Sequence, residues 1–473
     1  MSDSKSADNQ HGGKPALRGD LTQGPILRTL IAFTIPTLAA NVLQTLGGTV
    51  NTIWVGQLLG EKAVAATATA NMVMFLAFAA VFGFGMAATI KVGQYCGQHN
   101  IDNARRVFGA GTGFCFVVSV AGTLTGWFGA GSLLDLLATP ASFHDDALAY
   151  IRFSFVGMPF GTVSMMIAMS LRGAGDARSP LYAMILTTLL GIALNPLLIL
   201  GWGPLPAMGI AGSALANALA TVIGMAALIG WMYWQDLPLR LRGREWAYLL
   251  PVGPDMRYII AKGLPMGAQM LLSTAAGVIM VGLVNREGML TSAAYGAVLQ
   301  IWNYIQMPSF AISTAVSAIV AQNIGAAQHA RVGHVTWVGV IVNTGVTSML
   351  TVALMAFDRP LLALFLGAGS AAIPLAEHMQ VLSTWGWVLS GVMMILIGTM
   401  RAYGAVLLPL LIMFVSQYPA RLGFYEVLYP VIGPDALWWS YPFGGVIAVL
   451  LTWAAYAKGG WRKLQLLPAP SNA

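Results

Sequence analysis

The chain has 473 residues, of which 57% are hydrophobic and only 9% are charged. A soluble domain carries about 25% charged residues, so this chain has too few charges to coat a water-soluble protein of its length. The net charge of +7 does not indicate nucleic-acid binding, because the basic residues are distributed by membrane side. The mean hydropathy of +0.72 instead favours helices packed in a bilayer.

Twelve stretches free of Asp, Glu, Lys and Arg are long enough to cross a bilayer, which needs about 20 apolar residues per helix. They cover residues 29–60, 63–90, 107–134, 153–171, 179–200, 207–235, 263–285, 290–320, 332–357, 379–400, 402–420 and 436–457. The string GWGPLP at 201–206 provides the turn that divides the longest uncharged run into two spans. The sequence therefore predicts an all-α polytopic membrane protein with twelve transmembrane helices.

The distribution of basic residues predicts the orientation of these spans. All but five of the 24 Lys and Arg residues lie on the side of the two termini. The five exceptions are Lys62, Arg152, Arg286, Arg359 and Arg421. The positive-inside rule then places both termini in the cytoplasm, and we expect a multi-pass protein of a bacterial inner membrane.

The two halves of the chain resemble each other at a spacing of about 229 residues, which indicates an internal repeat. The matching features are Pro36 with Pro265, GQYCG (93–97) with AQNIG (321–325), and LRGAG (171–175) with MRAYG (400–404). Each half holds six spans, so the two repeats enter the membrane in the same orientation. This parallel plan is typical of secondary transporters and predicts two lobes around a central cleft.

The repeat also sets the expected domain boundaries. We expect a flexible cytoplasmic tail at 1–24, an N-lobe with spans 1–6 at 25–235, a cytoplasmic linker at 236–257, a C-lobe with spans 7–12 at 258–463 and a C-terminal tail at 464–473. The first tail lacks an apolar stretch, so it is not interpreted as a cleavable signal peptide.

Two sets of repeated residues leave alternatives open. Pro36 and Pro265 lie about a third of the way into their spans, where proline either kinks a helix or is simply tolerated. The motif residues Arg172 and Gly175, with their counterparts Arg401 and Gly404, lie at cytoplasmic helix ends. There they favour topology anchoring and a helix C-cap, with gating as the alternative.

Motifs for other kinds of chemistry are missing from the sequence. There is no GxxxxGK[ST] phosphate loop, no HExxH and no GxSxG string, and the six histidines are scattered. Cys96 and Cys115 form neither a CxxC pair nor a histidine-containing metal motif. We therefore predict a transporter rather than an enzyme, with no metal site and no cofactor, driven by an ion gradient or by the gradient of its substrate.

A family resemblance follows from the order of several motifs. The strings NTIWVG (51–56), GQYCG (93–97), LRGAGD (171–176) and GWRK (460–463) make the chain resemble the multidrug and toxic compound extrusion (MATE) transporters over roughly residues 27–464. This resemblance implies an antiporter that exports bulky, often cationic and aromatic compounds in exchange for Na⁺ or H⁺ by alternating access. We expect it to act as a monomer with small organic substrates and bilayer lipid as its partners.

The sequence departs from the family at the positions that handle the coupling ion. Family members carry carboxylates at four positions that correspond here to Asn51, Asn195, Ser273 and Ser390. An amide cannot release a proton near neutral pH, so a protonation switch at either asparagine is excluded. The asparagine oxygens remain able to help coordinate Na⁺.

Further polar residues within the spans are candidates for the substrate or ion pathway. They are Gln44 and Asn217 in the N-lobe, and Gln269, Gln300 and Asn303 in the C-lobe. The alternative for each of them is a hydrogen bond between neighbouring helices.

Three other functions remain open. A flippase for lipid-linked saccharides would favour a strongly cationic cleft for the diphosphate, and we expect no Lys or Arg in the middle of a span. A uniporter would need no coupling ion. The missing carboxylates also fit a sensor that has lost transport.

Overall fold

The computed structural model describes residues 19–136, 139–201, 206–251, 253–367 and 369–463, and within these ranges all regular structure is helical. Eleven helices are long and apolar enough to cross a membrane. Two further helices, bent by 44° relative to each other, together make a twelfth candidate span. The predicted all-α, twelve-span architecture is therefore confirmed.

The first six spans form the N-lobe and the remaining helices form the C-lobe. The N-lobe contains α1 (Ile26–Leu59), α2 (Glu61–Gly97), α3 (Ile101–Leu136), α4 (His144–Gly173), α5 (Arg178–Leu200) and α6 (Gly209–Trp234). The C-lobe contains α7 (Pro254–Arg286), α8 (Met289–Gly325), α9 (His329–Ala356), α10 (Asp358–Leu366), α11 (Ile373–Ser383), α12 (Gly386–Ala402), α13 (Leu407–Val415), α14 (Arg421–Ile432) and α15 (Asp435–Lys458). Helices α11 and α12 are the bent pair, and a π-helical turn at 416–420 joins α13 to α14.

The linker between the lobes lies on the same side as the start of α1 and the end of α15, which we call the terminal face. Its 3₁₀ helix (Gly243–Leu249) is anchored to α3 by an ion pair of 2.8 Å between Arg105 and Glu245. Nearby, Arg242 donates a hydrogen bond of 2.6 Å to Asp236 and holds the pKa of that exposed carboxyl below its ordinary value. The predicted linker ran to residue 257, but α7 already begins at Pro254, a residue type well suited to a first helical turn.

The eleventh span differs from its prediction. We expected it to end at residue 420, before the charge of Arg421, but the apolar helical segment runs from Leu407 to Ile432 and contains that residue. The side chain of Arg421 is 9% exposed, and its guanidinium lies 3.4 Å from the centre of the Tyr441 ring. Because the charge points into the lobe rather than toward lipid, the helix continues. The expectation that no basic residue lies in the middle of a span is therefore wrong.

The end of the N-terminal tail packs against both lobes. The backbone N–H of Leu21 donates to Gln322 Oε1 at 2.9 Å, and Asn323 Nδ2 donates to the carbonyl of Leu21 at 3.3 Å. Leu21 and Thr22 are both buried. The expected flexibility therefore does not hold for residues 19–24, while 1–18 and the predicted C-terminal tail at 464–473 lie outside the described residues.

The two lobes are joined at the terminal face by a reciprocal pair of hydrogen bonds, which we call the lobe seal. Gln94 Nε2 on α2 donates to the carbonyl of Ala402 at the end of α12, at 2.7 Å. Gln322 Nε2 on α8 donates to the carbonyl of Gly173 at the end of α4, at 3.0 Å. Each lobe thus supplies one glutamine to a helix end of the other lobe.

Glycine permits the close approach of α2 and α8 beside the lobe seal. A Cβ atom on Gly97 would collide with the backbone oxygen of Gln322, and one on Gly325 would collide with that of Gln94. The two glycines are the last residues of their helices and occupy matching places in the two repeats. The repeated GxxxG-like strings are therefore contact residues between the lobes.

Replacing Gly325 by valine should push α2 and α8 apart at the lobe seal. We expect the free energy of unfolding to fall by about 1–3 kcal/mol, the usual cost of overpacking a tight contact. Thermal unfolding in detergent measures the change. Gly345→Val is the matched control, since nothing lies within 4 Å of a Cβ placed on Gly345. Equal destabilisation by both substitutions would contradict the importance of the close approach.

Candidate functional site

A buried polar cluster lies inside the N-lobe. Ser213 Oγ lies 2.7 Å from Asn195 Oδ1 and 3.0 Å from Asn51 Oδ1, and Asn217 Nδ2 donates to Asn51 Oδ1 at 2.9 Å. The phenol of Tyr150, a buried residue of α4, lies beside the side chains of Asn51 and Asn217. We call these five residues, contributed by α1, α4, α5 and α6, the amide cluster.

The amide cluster lies in the half of the N-lobe away from the terminal face. Asn51 is eight residues before the end of α1, and Ser213 is four residues after the start of α6. At 1.5 Å per residue, these positions are about 12 Å and about 6 Å from the helix ends. Asn51, Asn195 and Ser213 are less than a tenth exposed. The cluster is thus a dry polar site at moderate depth.

The cluster is built from neutral amides and a hydroxyl. Ser213 Oγ contacts the side chains of Asn51 and Asn195, and Asn195 Nδ2 also donates to the carbonyl of Gly191 at 2.8 Å. Amide oxygens and a hydroxyl are neutral groups that can coordinate a small cation. None of the amides or the serine hydroxyl titrates near neutral pH.

The corresponding C-lobe candidates do not form a second such cluster. Ser390 Oγ donates to the carbonyl of Gly386 in its own helix at 3.2 Å. Ser273 is exposed on α7 and lies 3.5 Å from Gln417 Nε2. Among the described residues no hydrogen bond joins the two serines, so the structure does not bring these predicted positions together.

Gln269 has a structural contact instead of a pathway position. Its side chain is 2% exposed, donates to the carbonyl of Val406 at 3.0 Å and accepts a hydrogen bond from the Arg401 guanidinium. These bonds attach α7 to the segment after α12. The interhelical alternative therefore describes Gln269 better than a place in the cleft.

Three other candidates have exposed side chains and lie in no described polar cluster. Gln44 on α1 and Gln300 and Asn303 on α8 are exposed. Nearer the terminal face, the ring centroids of Phe82 on α2 and Phe310 on α8 lie 6.1 Å apart across the lobe boundary, and the ring planes are inclined by 38°. These rings and the lobe seal therefore join the two lobes in the part of the molecule near the terminal face.

The repeated arginine and glycine motifs shape the helix ends that the lobe seal uses. Gly175 has φ +91° and its N–H donates to the carbonyl of Arg172 at 3.0 Å. Gly404 has φ +82° and its N–H donates to the carbonyl of Arg401 at 2.7 Å. Both are left-handed C-caps, and they end α4 and α12 where the glutamines of the other lobe bind. The motif therefore both caps its helix and provides the backbone carbonyl that contacts the other lobe.

The repeated prolines do not interrupt their helices. Pro36 lies inside α1 and Pro265 inside α7, and both helices continue beyond them. Their role as kinks stays a prediction.

Ser213, Tyr150 and Arg421 are not among the site residues that the sequence predicts. Serine and tyrosine are ordinary residues of membrane spans, so neither had a distinguishing signal. The repeat offered one indirect signal. Tyr441, whose ring lies against the Arg421 guanidinium, is 228 residues after Ser213, close to the spacing of the repeat. An equivalent polar position in the C-lobe could have been sought there.

Comparison with known proteins identifies the family. The MatE family model matches residues 36–197 and again 265–424, one match in each lobe. A probable multidrug resistance protein, YoeA of Bacillus subtilis, is 30% identical over 96% of this chain and 98% of its own length. A protein of Shewanella oneidensis named as an FAD transporter is 24% identical over 74% of this chain and 76% of its own length.

A solved structure shares the fold. It is a MOP superfamily transporter from Pyrococcus furiosus described as having a binding pocket of reverse polarity. It has a TM-score of 0.86 and 19% identity, and the match covers 95% of this chain and 99% of that one. With the family model matched in both lobes, the chain belongs to the MatE family of multidrug and toxic compound extrusion transporters and is a membrane transporter, not an enzyme.

Proposed function

We propose that this chain is a secondary active exporter that acts as a monomer in a bacterial inner membrane, with the terminal face in the cytoplasm. The lobes alternate between a state closed at the lobe seal and a state closed on the other side. In the described conformation the lobes are in contact at the lobe seal, so the terminal face is the closed side. The excess of basic residues on the terminal face supports this orientation.

We infer that Na⁺, rather than H⁺, is the coupling ion at the N-lobe. The observation that carries this inference is the amide cluster, in which the neutral side chains of Asn51, Asn195 and Ser213 contact one another without a carboxylate. Neutral oxygens can coordinate a hard cation, as backbone and amide carbonyls do in calcium sites. Amides and the serine hydroxyl cannot carry a proton through the cycle near neutral pH.

The substrates are bulky amphipathic organic compounds. The family resemblance favours organic cations, but no Asp or Glu is among the buried side chains in the described ranges. The relatives differ in cargo by name, since one is called a multidrug resistance protein and another an FAD transporter. We therefore treat the charge of the substrate as the variable to be measured, with ethidium and FAD as the cationic and anionic probes.

Transport by the purified chain in proteoliposomes tests the proposal. We expect an inward Na⁺ gradient to drive release of ethidium or FAD, and we expect collapse of the pH gradient alone to leave the rate unchanged. Flux that follows only the substrate's own gradient would establish a uniporter. Movement of a lipid-linked saccharide alone would establish a flippase, and no flux of any probe would favour the sensor.

Asn195→Asp tests the amide cluster. A carboxylate beside Ser213 adds a full negative charge to the oxygens that face a cation, so the half-saturating Na⁺ concentration should fall about tenfold, equivalent to about 1.4 kcal/mol. The variant should also acquire a pH dependence that the unchanged chain lacks, because a carboxyl group can titrate. Asn41→Asp, on α1 but outside the cluster, is the control. Unchanged Na⁺ and pH responses in Asn195→Asp would exclude the cluster as the coupling site.

A further inference from the structure

We propose that Arg421 forms an anion-binding subsite inside the C-lobe, which takes a carboxylate or phosphate group of an aromatic organic substrate. The proposal rests on the proposed function, because it treats the ligand as transported cargo. It differs from the cation specificity that the family resemblance implies, and it is carried by the surroundings of one buried charge.

Arg421 has no acidic partner among the residues that the structure describes. In the described part of the chain, Lys91 and Arg421 are the charged side chains with the least exposure, at 7% and 9%. Lys91 forms an ion pair of 2.9 Å with Asp255. Arg421 forms no ion pair with any described carboxylate. A charge at bilayer depth is costly and is normally kept for a function, and here the charge is uncompensated.

The site has a surplus of hydrogen-bond donors. Nε and Nη2 of Arg421 are buried and have no hydrogen-bond partner. The indole Nε1 of Trp387 is also buried without a partner, and its ring centroid lies 6.5 Å from that of Tyr441. An unsatisfied buried donor destabilises the protein, and more so when it is charged. Three such donors near one ring favour a ligand with acceptor oxygens.

Aromatic rings wall the site. The Tyr441 ring lies beneath the guanidinium, with its centre 3.4 Å from Cζ, and the Trp302 ring lies 4.8 Å from that of Tyr441. The hydroxyls of Tyr295 and Tyr441 are in contact. Flat rings beside a fixed cation suit a ligand that combines an aromatic system with an acidic group.

Two acidic residues on neighbouring elements, Glu287 and Glu426, are engaged elsewhere or exposed. Glu287, at the junction of α7 and α8, accepts a hydrogen bond of 2.6 Å from Tyr429. Glu426 follows Arg421 on α14 but is exposed. Neither neutralises the guanidinium.

The site lies in the half of the C-lobe away from the terminal face. Arg421 lies eleven residues before the end of α14, about 16 Å along the helix. Tyr295 and Tyr441 each lie six residues into α8 and α15 from the same side. The amide cluster lies in the corresponding half of the N-lobe.

Two xanthene dyes of opposite charge provide the test: carboxyfluorescein is anionic and rhodamine 6G is cationic. In proteoliposomes we expect Arg421→Gln to slow carboxyfluorescein export at least tenfold and to leave rhodamine 6G export unchanged or faster. Arg421→Lys should retain an intermediate rate, because it keeps the charge but loses the planar fork. Arg359→Gln removes an arginine whose side chain is 79% exposed and is the matched control.

Direct binding separates this proposal from the transport proposal. Carboxyfluorescein should raise the thermal unfolding temperature of the purified chain but not that of Arg421→Gln, even if no dye crosses the membrane. If no dye is transported but carboxyfluorescein still binds in a way that depends on Arg421, only the exporter proposal is wrong. The organic-anion subsite would be overturned if Arg421→Gln slowed the export of both dyes equally or the export of neither. It would also be overturned if chloride raised the unfolding temperature as much as carboxyfluorescein does.

Discussion

A polar group inside a bilayer has no water to bind, so it needs a partner within the protein, and the lobe seal follows from this constraint. Helices α4 and α12 end with backbone carbonyls that lack a partner in their own helix. Gln94 and Gln322 reach across from the other lobe to satisfy one carbonyl at each end. The bonds form because glycine lets α2 and α8 approach closely. Since both glutamines are neutral, the seal can open and become hydrated without separating an ion pair.

The same constraint explains the chemistry of the amide cluster. A carboxylate at bilayer depth costs about 2.5–3.5 kcal/mol on insertion scales, and amides at the same places avoid that cost. They also give up the ability to bind and release a proton. The cluster keeps neutral amide groups on Asn51 and Asn195, both in contact with the Ser213 hydroxyl. A carrier built this way depends on a cation's occupancy rather than on protonation.

The sequence contains the repeat and the span count, because both depend on patterns that extend over many residues. Twelve charge-free stretches and three matched motifs were enough to predict two lobes and to mark Gly97, Gly325, Arg172 and Arg401. The charge-free criterion failed at Arg421, since it treats every charge as a loop residue and cannot see that a neighbouring helix supplies an aromatic ring. Ser213 and Tyr150 could not be singled out for a related reason. Their role depends on which helix faces pack together, and no local signal reports that.

The two lobes carry different polar groups in the half of the molecule away from the terminal face. The amide cluster offers neutral amide and hydroxyl groups, whereas the Arg421 site has N–H groups that lack an acceptor. A cation in one lobe and an acidic substrate group in the other are therefore attracted to separate places and do not compete for one charge. If the terminal face is cytoplasmic, the entry of Na⁺ and the export of an anion each make the inside of the cell more positive. An inside-negative membrane potential then favours both movements, at about 2.3 kcal/mol per charge for each 100 mV. The replacement of carboxylates by amides and the burial of one arginine thus act in the same direction, toward export of an acidic compound.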